Sequence, residues 1–216
     1  DFGLEVLKGG EAGLKTLNME FAEKTSYKRG ATDFSSQVSK MQAGGCDMIV
    51  LGTIIRETIG AIGTARKLGY NPIFLGSSAS YTGLIHKLRG KAMDGLYATM
   101  TVQNPYLDEA SQPIRFWASK YKTKFNEDPT VFSVYGYTII TSFATAAGRA
   151  GKNLTTDSFI KVMDNLTIEP DFFGGAVQTF SATKRLGSDA SRLSQIVDGK
   201  WKTVSDYFGS TATAKK

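Results

Sequence analysis

At 216 residues with 41% hydrophobic content, the chain is long enough to bury a core as one ordinary domain or two small ones, which excludes a disordered polymer. Its formal charge of +6 comes from Lys and Arg scattered among acids rather than gathered in a stripe, so no nucleic-acid partner is expected. A single cysteine, Cys46, excludes an internal disulfide framework and a thiolate metal cluster, and no run approaches the roughly 18 apolar residues of a membrane span.

The chain opens on Asp1-Phe2-Gly3-Leu4 as though already entering a helix, without a visible signal peptide, and the expectation is that a segment precedes it. Leu4, Val6, Leu7 and Leu14 predict a first helix, and Met19 and Phe21, alternating with polar residues, predict a strand. Asp33 is placed to cap a helix carrying Phe34, Val38 and Met41, which Gly44-Gly45 would stop. Met48-Ile49-Val50-Leu51 is wholly apolar, the pattern of a buried parallel strand. Ile55, Ile59, Ile62 and Leu68 then mark a helix ending at Gly69, and Ile73-Phe74-Leu75 a second buried strand. This alternation predicts an α/β fold with a right-handed, helix-covered parallel sheet.

After Gly95-Leu96-Tyr97-Ala98 the pattern changes. Two long amphipathic helices are predicted over Gln112 to Phe125 and Val131 to Ala150, separated by Asp128-Pro129, with Trp117, Tyr121 and Phe125 as a core-facing aromatic stripe. A third helix follows Thr155 or Thr156, with Phe159 and Met163 inward. Ile196-Val197, Asp198-Gly199, Trp201 and Val204 predict a closing hairpin, and Gly209 to Lys216 a polar tail.

In an open parallel sheet, ligands bind beyond the carboxyl ends of the strands. The loops to consider are therefore Gly52-Thr53-Ile54-Ile55-Arg56 and Gly76-Ser77-Ser78-Ala79-Ser80. Both leave a strand through glycine and carry small hydroxyl residues where the next helix starts, so N–H and O–H groups there can converge on an anion such as a carboxylate. Arg56 is placed either to add a charge-assisted contact or, beside Glu57 in a first helical turn, to lie on the surface. The serines are equally suited to capping the following helix. Enzymatic signatures fail: there is no G-x-S-x-G around Ser77 and Ser78, no P-loop and no dinucleotide-binding glycine pattern. His86, the only histidine, reads as an ordinary surface or partly buried residue. Asn153 and Asn165 begin short Asn-x-Thr sequons that carry little information. No catalytic residue, cofactor or metal ligand is expected.

Several segments, in order, carry a resemblance: Asp1-Phe2-Gly3, Gly30-Ala31-Thr32-Asp33-Phe34-Ser35-Ser36-Gln37-Val38, Asp47 to Gly52, Ala65-Arg66-Lys67-Leu68-Gly69, Gly136-Tyr137, and Val197-Asp198-Gly199-Lys200-Trp201. The chain resembles type I periplasmic solute-binding proteins of the branched-chain amino acid ABC transporter class. The resemblance implies two α/β lobes joined by three crossing strands, closing on ligand by hinge motion. It places residues 1–98 in the second lobe, 99–193 in a return segment to the first lobe with the hinge crossings, 194–208 in final strands back to the second lobe, and 209–216 in a tail. Most of the first lobe has no counterpart in this sequence.

The resemblance also implies that the ligand-binding positions are Phe2, Thr53, Ile54, Arg56, Ser77, Ser78 and Ala79, with Tyr135 in the returning part. Amino-acid binders of the family tend to carry tyrosine where Phe2 sits and, in some, an acidic residue near Ser78; neither is present. A buried ammonium without a partner is costly, so the expected ligand is a carboxylate with an apolar or aromatic body, as in an aromatic-acid-binding subgroup, with a branched-chain or other hydrophobic amino acid as the alternative. A ligand-sensing receptor domain on the same fold is the other class. The partners implied are the small carboxylate and the transporter's membrane permease, with no nucleic acid. The implied location is the periplasm, or a membrane-anchored lipoprotein outside a Gram-positive cell, and the complete protein is expected to be monomeric.

Overall fold

The computed structural model describes residues 2–87 and 90–209. In chain order the elements are α1 (Phe2–Thr16), α2 (Ser35–Ala43), β1 (Met48–Leu51), α3 (Ile55–Lys67), β2 (Ile73–Gly76), α4 (Gly83–Lys87) and β3 (Tyr97–Met100). These are followed by α5 (Gln112–Phe125), α6 (Val131–Ala150), α7 (Thr156–Met163), β4 (Thr167–Ile168), β5 (Gln178–Thr179), β6 (Arg192–Val197) and β7 (Lys200–Thr203). Two compact units emerge: residues 1–100 with 193–205, and residues 101–192 with 206–216. Asp206 to Phe208, expected with the final strands, group with the second unit, where Phe208 forms a bridge with Ser191. Beyond Gly209 the expected tail lies outside the described residues.

The first unit is built on a five-stranded sheet of order β1-β2-β3-β6-β7. β1 and β2 run parallel in a register that sets Met48 beside Ile73 and Leu51 beside Gly76, and β2 and β3 are also parallel. Because Leu51 and Gly76 are register partners, the loops after them leave the sheet side by side. The fully buried strands expected from sequence are buried only at alternate positions. Ile49, Leu51 and Phe74 are inside, whereas Met48 and Ile73, at the far end from the loops, are about half exposed. Met48 lies on β1, which ends the order of the sheet, but Ile73 lies on β2 inside that order, so the shared alternation follows the period of two by which successive strand residues face opposite sides.

Helix α3 covers the sheet with Ile59, Ala61, Ile62 and Ala65 buried. The N-cap of α2 is Phe34, not the expected Asp33, and it makes no side-chain capping bond; Asp33, one residue earlier, accepts at Oδ1 from Ser35 N at 2.9 Å and Ser35 Oγ at 2.7 Å, and the helix starts at Ser35. Phe34 is thereby left outside the helix and buried, with its ring against Gly60 of α3, where a Cβ would stand 2.6 Å from a ring carbon. The strand expected at Met19 and Phe21 does not form. Asn18 turns the chain at φ 54° out of α1, and Phe21 lays its ring on Gly10 of that helix instead of joining a ladder. The hairpin of β6 and β7 turns on Asp198 and Gly199, both with positive φ (51° and 73°), the type I′ geometry that Asp-Gly favours. Trp201 of β7 is buried, donates Nε1–H to the Thr82 carbonyl at 3.0 Å, and meets the Tyr81 ring at 5.1 Å. Of the two expectations for His86, surface or partly buried, the structure shows burial, which holds its pKa below the ordinary value.

The second unit packs α5, α6 and α7 with the two-stranded β4-β5 ladder. Its interior holds Ile114, Ala118, Val131, Val134, Ala146, Leu166 and Phe173. The aromatic stripe of α5 departs from expectation. Trp117 reaches the interior edge-on to Phe173 at 5.0 Å, but Phe125 is 54% exposed and the buried face of the helix is Ile114 and Ala118. Four residues per step drift around a helix with 3.6 per turn, carrying the stripe off the core by its third member. Thr155 is the N-cap of α7 in a reciprocal capping box with Ser158. Phe159 and Met163 turn toward α6 and with Phe143 line an open apolar groove.

Candidate functional site

The paired exits of β1 and β2 form the candidate site in the first unit. Phe2 stands at the start of α1, 41% exposed, and its neighbour Gly3 abuts the β1 exit: a Cβ on Gly52 would lie 3.1 Å from Gly3 Cα. Thr53 is buried, Ile54 is half-buried as the N-cap of α3 without a side-chain capping bond, and Arg56, two residues on in the first turn, is exposed. After β2, Ser77 caps a short 3-10 turn, its Oγ accepting from Ala79 N at 3.3 Å; Ser78 is exposed and Ala79 half-buried. The local capping role considered for the serines is therefore observed at Ser77.

Thr58, which was not among the expected residues, joins the two loops. Thr53 Oγ1 lies 2.6 Å from Thr58 Oγ1, which in turn lies 3.1 Å from Ser80 Oγ, a buried hydroxyl chain from one strand exit to the other. Gly76 makes room for it, since a Cβ there would stand 2.6 Å from Ser80 Oγ. Thr58 falls on the inner face of α3 beside Ile59 and Ile62, and its spacing from those residues was the signal available in the sequence.

Glu57 is the second unexpected residue. It is 1% exposed, its Oε1 accepts a long 3.4 Å bond from Gly30 N, and Oε2 has no hydrogen-bond partner. Tyr27 stands close to both Glu57 and the β1 exit: its hydroxyl donates to the Gly52 carbonyl at 3.4 Å, and burial together with the Glu57 charge raises its pKa.

Tyr135 belongs to the second unit, on α6. It is half-buried, edge-on to Phe132 at 6.0 Å, and burial raises its pKa against the opposing effect of a hydrogen bond to Thr101. Among the described residues no group of three or more His, Cys, Asp or Glu is placed to hold a metal ion, and no helix is long and apolar enough to cross a membrane.

These features converge on a known architecture, and the chain belongs to the periplasmic binding protein family, whose model matches residues 1–200. It is a family of binding and transport proteins. No protein of curated function matches the sequence. The chain is similar in fold to a fatty acid ABC transporter substrate-binding protein from Thermomonospora curvata (TM-score 0.80, 21% identity, 99% of this chain and 56% of that one). It is also similar to a substrate-binding periplasmic protein from Ralstonia solanacearum (TM-score 0.78, 23% identity, 94% and 58%). A third is a branched chain amino acid ABC transporter from Thermus thermophilus with bound valine (TM-score 0.77, 16% identity, 93% and 56%). The chain thus spans little more than half the length of these structures.

Proposed function

We propose that the chain is part of the extracytoplasmic solute-binding component of an ABC importer, capturing a small carboxylate with an aromatic or aliphatic body for delivery to a membrane permease. In this reading the first unit is the second lobe, the second unit is the returning part of the first lobe, and the complete protein works as a monomer. The observation that carries it is the pair of glycine-led strand exits at one end of the parallel sheet, joined by buried hydroxyls and flanked by Phe2, Ile54 and the exposed Ser78 and Arg56. Hydroxyl and guanidinium donors suit a carboxylate, and Phe2 and Ile54 suit an apolar body. The name of the Thermomonospora curvata neighbour is consistent with such a ligand. In a thermal-shift panel on the intact protein, benzoate, cinnamate or octanoate raises Tm by mass action. A flat response across the acids sinks the ligand class. Arg56→Ala with Ser78→Ala weakens the response; an unchanged response assigns the anion to groups outside these loops.

Glu57 favours a second reading, an amino acid whose ammonium pairs with the unpartnered carboxylate oxygen. It is in keeping with the valine in the Thermus thermophilus neighbour. Leucine or valine binding that is abolished by Glu57→Gln, in a protein indifferent to benzoate, selects it over the first.

A further inference from the structure

Three hydroxyls joined by two hydrogen bonds hold three protons, and the links use two of them. The third stays on whichever hydroxyl donates to neither neighbour: Ser80 or Thr53 when the two bonds run in the same direction, Thr58 when both ends donate to it. Ser80 and Thr58 are 0% exposed, whereas Thr53, in the β1 exit loop, is 5% exposed, so the Thr53 end is where the spare proton can meet a bound molecule. Bonds in such a chain polarise one another in a low-dielectric interior, strengthening each link by roughly 10–30%. The rear of the chain is sterically set, because Gly76 leaves the space that Ser80 Oγ occupies.

We propose that Thr53, Thr58 and Ser80 form a directional hydrogen-bond relay: Thr53 is the ligand-contacting donor, and Thr58 and Ser80 are positioning residues that hold its proton outward. The β1 exit then selects an acceptor, a carboxylate oxygen, over a donor at that point. The inference rests on the carboxylate reading of the strand exits. It assigns specificity to a helix-interior threonine and a buried serine that contact no ligand themselves.

The test is calorimetric titration of the intact protein with benzoate and octanoate, comparing wild type with Thr58→Val, Thr58→Ser and Ser80→Ala. Thr58→Val keeps the shape and removes the central hydroxyl; it weakens carboxylate binding about fivefold to tenfold, and Thr58→Ser restores binding to within about twofold of wild type. Wild-type affinity in Thr58→Val, or a loss that Thr58→Ser does not rescue, overturns the relay and leaves the carboxylate reading standing. Absence of binding by the wild type to either acid overturns the carboxylate reading and the relay with it. Should Thr58→Val fail to fold, Ser80→Ala decides: weakened binding supports the relay and unchanged binding overturns it.

Discussion

Gly60 and Phe34 show how little slack individual residues have in the first unit. A Cβ on Gly60 would press within 2.6 Å of the Phe34 ring, which is itself 3% exposed and has no space to retreat into. Gly60→Ala is therefore expected to cost about 1–3 kcal/mol despite its better helix propensity, read as a lowered urea midpoint with unchanged slope. His86 gives a pH-dependent case. Desolvation keeps it neutral in the folded chain below the ordinary value of 6.5, with Lys87 and Lys200 acting in the same direction and Asp94 against. Between its lowered value and 6.5 the unfolded chain binds more protons, so stability rises with pH through that window and is lost as pH falls through it. Urea unfolding at about pH 5 and about pH 7.5 should show the acid loss in wild type and a smaller loss in His86→Gln. Thr58, Ser80 and Glu57 were hidden in the sequence for one shared reason. A polar residue inside or beside a short helix reads as solvated unless its face is known, and successive helical residues point about 100° apart. Arg56 and Glu57 accordingly went opposite ways, Arg56 to solvent and Glu57 into the interior.

Among the elements, the helix α7 and the hairpin of β6 and β7 make the sharpest predictions. Removing the Thr155 side of the capping box, as Thr155→Ala, leaves the Ser158 N–H of the first turn without its side-chain acceptor and should cost about 1 kcal/mol, measurable by chemical denaturation. Trp201→Ala removes a buried indole and its bond to Thr82, and a loss of about 3–5 kcal/mol is expected, read by the same method. Elements defined by strong local signals were legible: the apolar run of β1, the Asp198-Gly199 turn, and α5 and α6, whose ends match the expected Gln112, Phe125, Val131 and Ala150. Those that depend on a distant partner were not. Met19 and Phe21 have strand-like alternation but no ladder, and Phe21 packs on α1 instead. The Trp117-Tyr121-Phe125 stripe has helical spacing, yet only the surroundings of α5 determine that its last ring is exposed.

For the whole molecule, the order of weak local matches carried the family before any coordinates did, since the spacing of glycine-led strand exits and helix starts follows the α/β architecture itself. Ligand class was less legible because it depends on which polar groups are buried together, and the carboxylate of Glu57 became apparent only through its burial. The central proposal is that the intact protein binds a hydrophobic carboxylate through donors at the paired strand exits. The most direct test is calorimetric titration of the intact protein with benzoate, cinnamate, octanoate and leucine side by side. The account predicts saturable one-to-one binding of at least one of the three acids, tighter than that of leucine. Tighter binding of leucine than of every acid, or no binding of any acid, would contradict it.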